Sequence, residues 1–379
     1  MCAFIMVDVL FKNSSYVATD LGTTIYEIMD GAGGDRIQSG MRVLIKPNLL
    51  LPAAPEKAIT THPLVVKAVV EYVLEKGALP VVADSPGMGS FEKILSKGGY
   101  LDATGGLDVV FRPFRESVSV DIGKPFGSIN LAREALRDDF VINLAKLKTH
   151  AQMRLTLGVK NMFGCVIGLK KPEWHLKAGI DRGLFARLLV QICRAVAPGI
   201  TIVDGITALE GQGPGKSGTP RKLGLIAGSR NAYALDMTLC KVLGLDPATL
   251  RTHRAAQEMG LLPDSINLKG RFHVVDDFVF PDIGPLTMGP KMLHGFMRRN
   301  LIQKPVVDNK ACRLCGECWK YCPAKAITHN IKGIRFNTDA CIRCYCCLEI
   351  CPHGVIRMHE PLLGKLIRPY LHPSETSKE

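Results

Sequence analysis

Short apolar runs and longer apolar stripes alternate along the first 250 residues. MRVLI (41–45), PVVA (80–83), DVVF (108–111), FVIN (140–143), ITIV (200–203) and LGLIAG (223–228) have the length of buried strands. Between them, 63–76, 91–97, 184–196 and 232–243 carry apolar residues at helical spacing. Strands alternating with helices give an α/β class, a mostly parallel sheet flanked by helices. The opening MCAFIMVDVL is apolar, but Asp8 interrupts it and no basic stretch precedes it. It reads as a first buried strand and not as a signal peptide. No apolar run reaches the roughly 18 residues of a membrane span.

Polar groups that follow these runs bring in chemistry. Lys46-Pro47-Asn48 follows the first, Asp84-Ser85-Pro86-Gly87 the second, Asn143 to His150 another, and Asp204-Gly205 another still. Ligands of open parallel sheets bind beyond the carboxyl ends of strands. Lys46, Asn48, Asp84, Lys148, Asn161 and Asp204 are therefore expected to share one substrate crevice. The bland alternative is an ordinary helix cap for each Asp or Asn and a solvated side chain for each Lys. NLAKLKTHAQMRLTLGVKNMFGCVIG (143–168) gathers Lys146, Lys148, His150, Arg154, Lys160 and Asn161 among glycines. Such a group holds a small anion, with His150 and Lys160 as candidate catalytic proton donors. A lone histidine is more often structural.

GQGPGKSG (211–218) evokes a phosphate-binding P-loop, but the required first glycine is Glu210, and Pro220 interrupts the helix that should follow. A glycine-rich loop closing over the pocket, with Glu210 at its base, fits better. No G-x-G-x-x-G follows an early strand, so nicotinamide binding lacks support. A flavin held without a motif stays open.

Thirteen cysteines change the picture. Cys312, Cys315, Cys318 and Cys322-Pro323 form C-x2-C-x2-C-x3-C-P, and Cys341, Cys344, Cys347 and Cys351-Pro352 repeat it 29 residues later. This duplication is the signature of a bacterial-type ferredoxin with two [4Fe-4S] clusters, and it spans about 306–360. The fourth cysteine of such a run reaches the other cluster. Cluster one then takes Cys312, Cys315, Cys318 and Cys351; cluster two takes Cys341, Cys344, Cys347 and Cys322. Zinc explains neither the third close cysteine nor the proline. Cys346 competes with Cys347, but only Cys347 keeps both spacings, which leaves Cys346 a spectator thiol. Cys165, Cys193 and Cys240 read as buried structural residues. Cysteines concentrated at one end of a long chain point to metal in a reducing cytoplasm.

The formal charge is +13, of which +8 lies in the first 300 residues. The basic residues are dispersed and only 6% of residues are aromatic, so nucleic acid is not the expected partner. A cationic pocket or a docking face for an acidic partner is. The chain divides into an α/β domain (1–285), a linker helix (286–305), the dicluster domain, a small ferredoxin-like α+β unit (306–360), and a tail (361–379). In the linker, Met292, Leu293, Phe296, Met297 and Leu301 can share a face, packed between domains or laid on a membrane surface. The final HPSETSKE reads as disordered.

IKPNLL, THP with LVVKAVVEYVLEKGA, ADSPG, NLAKLKTH, TLGVKNMFG and VDGITALEGQGPG together resemble the domain-of-unknown-function family 362, over roughly 5–245. Members often carry a C-terminal dicluster ferredoxin region. The resemblance implies an α/β domain paired with iron–sulfur electron transfer and supplies no substrate. The leading expectation is an iron–sulfur oxidoreductase that reduces a small anion in the crevice and exchanges electrons with a redox partner protein. The alternatives are an electron carrier whose large domain docks a partner, and an iron–sulfur sensing or cluster-handling protein.

Overall fold

The computed structural model describes residues 6–168, 170–281, 283, 292 and 294–371. Cys2, the first five residues of the expected first strand, most of the expected linker before His294 and the HPSETSKE tail lie outside the described residues.

The α/β part is built on a nine-stranded sheet. Across its width run Ser265–Lys269, Met6–Asn13, Gly218–Ser229, Ile200–Gly211, Phe140–His150, Arg42–Pro47, Leu79–Asp84 and Val110–Pro113, with Arg154–Thr156 doubling back on Phe140–His150. The five strands from Ile200–Gly211 to Val110–Pro113 are parallel. Their apolar runs are nearly continuous because helices cover both faces. Ile25, Val66, Val69 and Ile94 pack with Val43, Ile45 and Ile142 on one side. Phe185 and Leu189 meet Leu44 and Val141 on the other, where Leu235 and Leu239 also meet Ala145 and Val203. The helices begin where the sequence supplies an acceptor: Ser90 takes the Lys93 N–H, Asp181 that of Leu184, and Asn231 those of Tyr233 and Ala234.

Two details differ from the sequence expectation. Gly218–Ser229 is antiparallel to its neighbour, because the link 212–217 is too short for a crossover. The strand expected at 140–143 continues to His150, and all eleven residues are buried. Asn143, Lys146, Lys148 and His150 therefore lie on the strand and not after it. Lys46 and Asp84 likewise belong to strand ends, and Asp204 to the middle of Ile200–Gly211. The strand tolerates its lysines because each meets a buried acceptor, described below.

From Arg42–Pro47 the chain moves outward to Leu79–Asp84 and Val110–Pro113. It then returns to the opposite side as Phe140–His150. A crevice opens at such a reversal.

In the cysteine-rich part, Lys304–Val307 pairs with Ile356–His359, and Ile327–Asn330 with Gly333–Phe336, both antiparallel. The duplication extends to the backbone. Leu314, Gly316 and Lys325 have φ of +49°, +92° and +48°, and their counterparts 29 residues on, Arg343, Tyr345 and Gly354, have +58°, +58° and +65°. Left-handed conformations at Arg343 and Tyr345 are unfavourable for side chains, so local preference does not explain this turn.

The glycine-rich loop joins the two parts. Gln212 Oε1 accepts the Met358 N–H at 3.0 Å, and Ser217 Oγ lies 3.3 Å from both Gly354 O and Ile356 O. A Cβ at Gly215 would sit 2.6 Å from Glu349 O, so glycine permits the approach. Glu210, at the loop's base, pairs with Arg221 at 3.2 Å. Segment 218–229 is a strand, which rules out the P-loop helix. Among the described residues no helix is long and apolar enough to cross a membrane.

Candidate functional site

At the reversal lies a cavity of about 830 Å³, its mouth included. Six of the eight crevice residues expected from sequence line it: Lys46, Asn48, Asp84, Lys148, Lys160 and Asn161. The opposite wall comes from the cysteine-rich part, through Tyr321, Cys346, Glu349 and Ile350.

Lys46 Nζ lies 2.9 Å from Asp84 Oδ1, both buried, and Asp84 Oδ2 accepts the Leu49 N–H at 2.9 Å. This pair fixes the loop after the first parallel strand. Gly164 packs over it: a Cβ there would stand 2.5 Å from both Lys46 Nζ and Asp84 Oδ1. Lys148 Nζ donates to Asn48 Oδ1 at 2.7 Å and to Ile59 O at 2.6 Å, both neutral oxygens. Asn48 donates in turn to Asn161 Oδ1 (2.9 Å), and Asn161 to Asn143 Oδ1 (2.8 Å). Burial lowers the Lys148 pKa well below the ordinary lysine range, and the nearby Lys160 charge adds to the effect. Burial also lowers Lys160, and brings Lys171 down to about 8. Four lysines face this cavity against two carboxylates, Asp84 and Glu349. Such a site favours an anion, which would offset the cost of keeping the lysines charged. Two further lining groups, Thr156 Oγ1 and His175 Nδ1, are buried and meet no hydrogen-bond partner among the described residues. Buried polar atoms are seldom left so without a ligand or water.

His150 and Asp204 do not reach the cavity. His150 is fully buried, and its Nδ1 accepts the N–H groups of Gln152 (3.1 Å) and Met153 (3.2 Å). Its Nε2 lies 2.7 Å from Glu349 Oε1. The ring thus stands behind Glu349 and outside the cavity lining. Asp204 sits in a separate buried group, 2.7 Å from Lys146 Nζ, accepting from Tyr16 Oη (2.8 Å) and the His62 N–H (3.0 Å). It organises the sheet, not the crevice. Sequence reasoning missed Glu349, Tyr321, Thr156, Lys171 and His175. Glu349 had a visible signal, as the one charged residue in the gap between Cys347 and Cys351.

Burial holds the His62 and His150 pKa values down to about 4 and that of His175 to about 3. Above pH 6.5 neither folded nor unfolded histidine binds a proton, so stability is unaffected. As pH falls toward 4 the unfolded chain alone takes up protons, and each histidine costs roughly 1.4 kcal/mol per pH unit. Calorimetry at pH 5 in buffers of different ionisation enthalpy is expected to show that His62→Gln takes up about one proton fewer on unfolding. Equal uptake would contradict a buried neutral His62.

The cysteines line two smaller cavities. Cys312, Cys315, Cys318 and Cys351 face one of about 300 Å³. Cys322, Cys341, Cys344 and Cys347 face another of about 340 Å³, with Cys346 also in its wall. Each set thus takes one cysteine from the other block. Among the described residues no three His, Cys, Asp or Glu side chains converge as around a single ion. The sulfurs instead surround apolar spaces, walled by Ile334 and Ile356 in one case and Ile327 and Phe336 in the other. The Ala326 N–H donates to Cys322 Sγ at 3.3 Å. Thiolates spread around an apolar cavity, with N–H groups aimed at sulfur, suit a cubane cluster.

Comparison with known proteins agrees with this geometry. A 4Fe-4S dicluster domain model matches residues 304–352, and a model of a domain of unknown function, DUF362, matches 43–241. A thylakoid-associated protein of Synechocystis sp. is 39% identical over 303 residues, 78% of this chain and 94% of its own. The delta subunit of NADH-dependent phenylglyoxylate dehydrogenase from Aromatoleum evansii is 35% identical over 72 residues, 19% of this chain and 74% of its own. Pyruvate synthase subunit PorD of Thermotoga maritima is 37% identical over 60 residues, 15% of this chain and 59% of its own. Among solved structures, the lactate racemase apoprotein of Thermoanaerobacterium thermosaccharolyticum superposes with a TM-score of 0.43 at 11% identity, covering 64% of this chain and 58% of its own. With a family model matched over more than half its length, the chain belongs to the DUF362 family and carries a C-terminal 4Fe-4S dicluster domain of the iron–sulfur electron-transfer type.

Proposed function

We propose that the chain is an iron–sulfur oxidoreductase that delivers electrons through two [4Fe-4S] clusters to a small anionic substrate in the crevice. The observation that carries this reading is a shared wall: Cys346 lines both the crevice and the cavity of Cys322, Cys341, Cys344 and Cys347. In this reading cluster one is held by Cys312, Cys315, Cys318 and Cys351, and cluster two by Cys341, Cys344, Cys347 and Cys322. When bound, the clusters supply electrons one at a time.

The chain's own residues do the rest. Lys148 and Lys160 hold the anion, and the linked amides of Asn48 and Asn161 orient it. Lys160 is a proton donor, and Lys171, with its pKa brought down to about 8 by burial, is a second. Lys46 and Asp84 keep the loop walls in place, and His150 positions Glu349. The ferredoxin-type relatives are subunits of larger oxidoreductases by name, which supports a redox partner protein. The domain scheme 1–285, 286–305, 306–360 and 361–379 fits this division of labour. The clustered thiols favour a reducing cytoplasm, and the thylakoid-associated relative supports a site of action beside a membrane.

The reading is tested through the cluster next to the crevice. A cation stabilises an added electron, so Lys160→Ala is expected to lower that cluster's potential by on the order of tens of millivolts. The other cluster's potential should stay in place. Redox titration followed by electron paramagnetic resonance reads both. Equal shifts, or none, would remove the crevice from the electron path.

A further inference from the structure

We propose that the helices His294–Asn300 and Leu362–Leu371 form one amphipathic face that docks on an anionic lipid surface. This rests on the membrane-side site of action proposed above and names the surface involved.

The two helices leave the same end of one β-ribbon, where Lys304 pairs with His359. They lie against each other, and a Cβ at Gly364 would collide with Leu301 O. Large apolar side chains of this pair point to solvent: Leu362 is 79% exposed, Leu366 69% and Phe296 54%, and Met292, ahead of the first helix, is 89% exposed. Met297 and Leu301, on the same stretch, are half-buried, so the first helix keeps one side packed and leaves the other open. Cationic residues accompany the apolar ones: Arg298 and Arg299 on the first helix, Lys304 shortly after it and Lys365 on the second. The exposed acid beside them, Asp339, is taken up at 2.5 Å by Arg299. Apolar side chains within a cationic rim are what binding in the plane of an anionic bilayer requires.

A second copy of the chain fits less well. A two-fold interface would set the same cationic rims against each other, in a chain of formal charge +13. The face is also tied to the second cysteine set. Arg298 donates to Asp339 O, and Arg343 Nη2 donates to Arg298 O at 3.0 Å, which fastens the first helix to the loop bearing Cys341 and Cys344. Docking would bring that loop close to the lipid.

The test uses the full chain, purified anaerobically with its clusters, and sedimentation with two kinds of vesicle. One is phosphatidylcholine alone; the other contains about a third phosphatidylglycerol. The chain is expected to pellet with the anionic vesicles and to be released by about 0.5 M salt. Leu366→Glu is expected to cut the partition at least about tenfold, and Lys365→Glu to weaken it severalfold, with iron content unchanged in both. Iron content shows that the variants are folded, and Lys365→Glu carries the test if Leu366→Glu is not. Three results would overturn the proposal: no pelleting with either vesicle, salt-insensitive pelleting with both, or a dimer in light scattering that Leu366→Glu dissociates. Cluster potentials are read separately, so failure of docking and failure of electron delivery are distinguishable.

Discussion

Cys351→Ser is expected to remove the cluster of Cys312, Cys315 and Cys318, although Cys351 belongs to the second sequence block. The full protein should hold about eight iron and eight sulfide, and this variant about half. The reason is spatial: Cys351 shares a cavity with the first block, and Cys322 shares one with the second. The surviving cluster is identified by its neighbour, since its potential should still respond to Lys160→Ala. The same repeat decides between the adjacent thiols. Tyr345 takes the left-handed place of Gly316, so Cys347 corresponds to Cys318, and Cys346 to Glu317. Cys346→Ser should therefore keep all its iron, while Cys347→Ser loses a cluster. Iron and sulfide assays after anaerobic reconstitution check both, together with the double variant, in which neither thiol can substitute for the other. Tightly bound zinc, or full iron in Cys347→Ser, would contradict the assignment.

Asp204→Ala is expected to cost about 3–5 kcal/mol of stability, because it leaves the Lys146 ammonium buried without its carboxylate. Lys146 and Asp204 are each at most 1% exposed, so water cannot take over the lost interaction. The loss also strands Tyr16 Oη and the His62 and Ile206 N–H groups, all of which use the same carboxylate. Denaturant titration reads the stability. Iron content and crevice binding should survive at temperatures where the variant is folded. An Asp204→Ala protein of normal stability that has lost crevice binding would restore the substrate-binding role expected from sequence.

How far the sequence reached is clearest in these residues. Strand and helix positions followed from apolar periodicity, and the duplicated cysteine motif was visible in its spacing, because both are local patterns. The crevice residues after the first two strands were also legible, since the end of an apolar run marks the end of a strand. That rule failed at Phe140–His150, where lysines at alternate positions continue a pleated, buried strand. The tertiary partners Asp204, Asn48 and Ile59 O make that possible, and they lie far away in sequence. The same distant partners hold Asp204 and His150 outside the cavity lining, which no local pattern encodes. Glu349 was passed over and Cys346 was read as a spectator thiol. Their second role depends on how the cysteine-rich part sits against the sheet, through Gly215 and the loop around it, which no local pattern encodes.

In the proposed reading, electrons held by this chain go to a small anion in the crevice. It is tested most directly by recovering the anion that co-purifies under anaerobic conditions and adding it to the dithionite-reduced protein. The unaltered chain is expected to be reoxidised by that molecule, while Lys148→Ala, with full iron content, stays reduced. Reoxidation by a partner protein alone, equally fast in the Lys148→Ala variant, would contradict the account and leave a carrier whose α/β part serves only for docking.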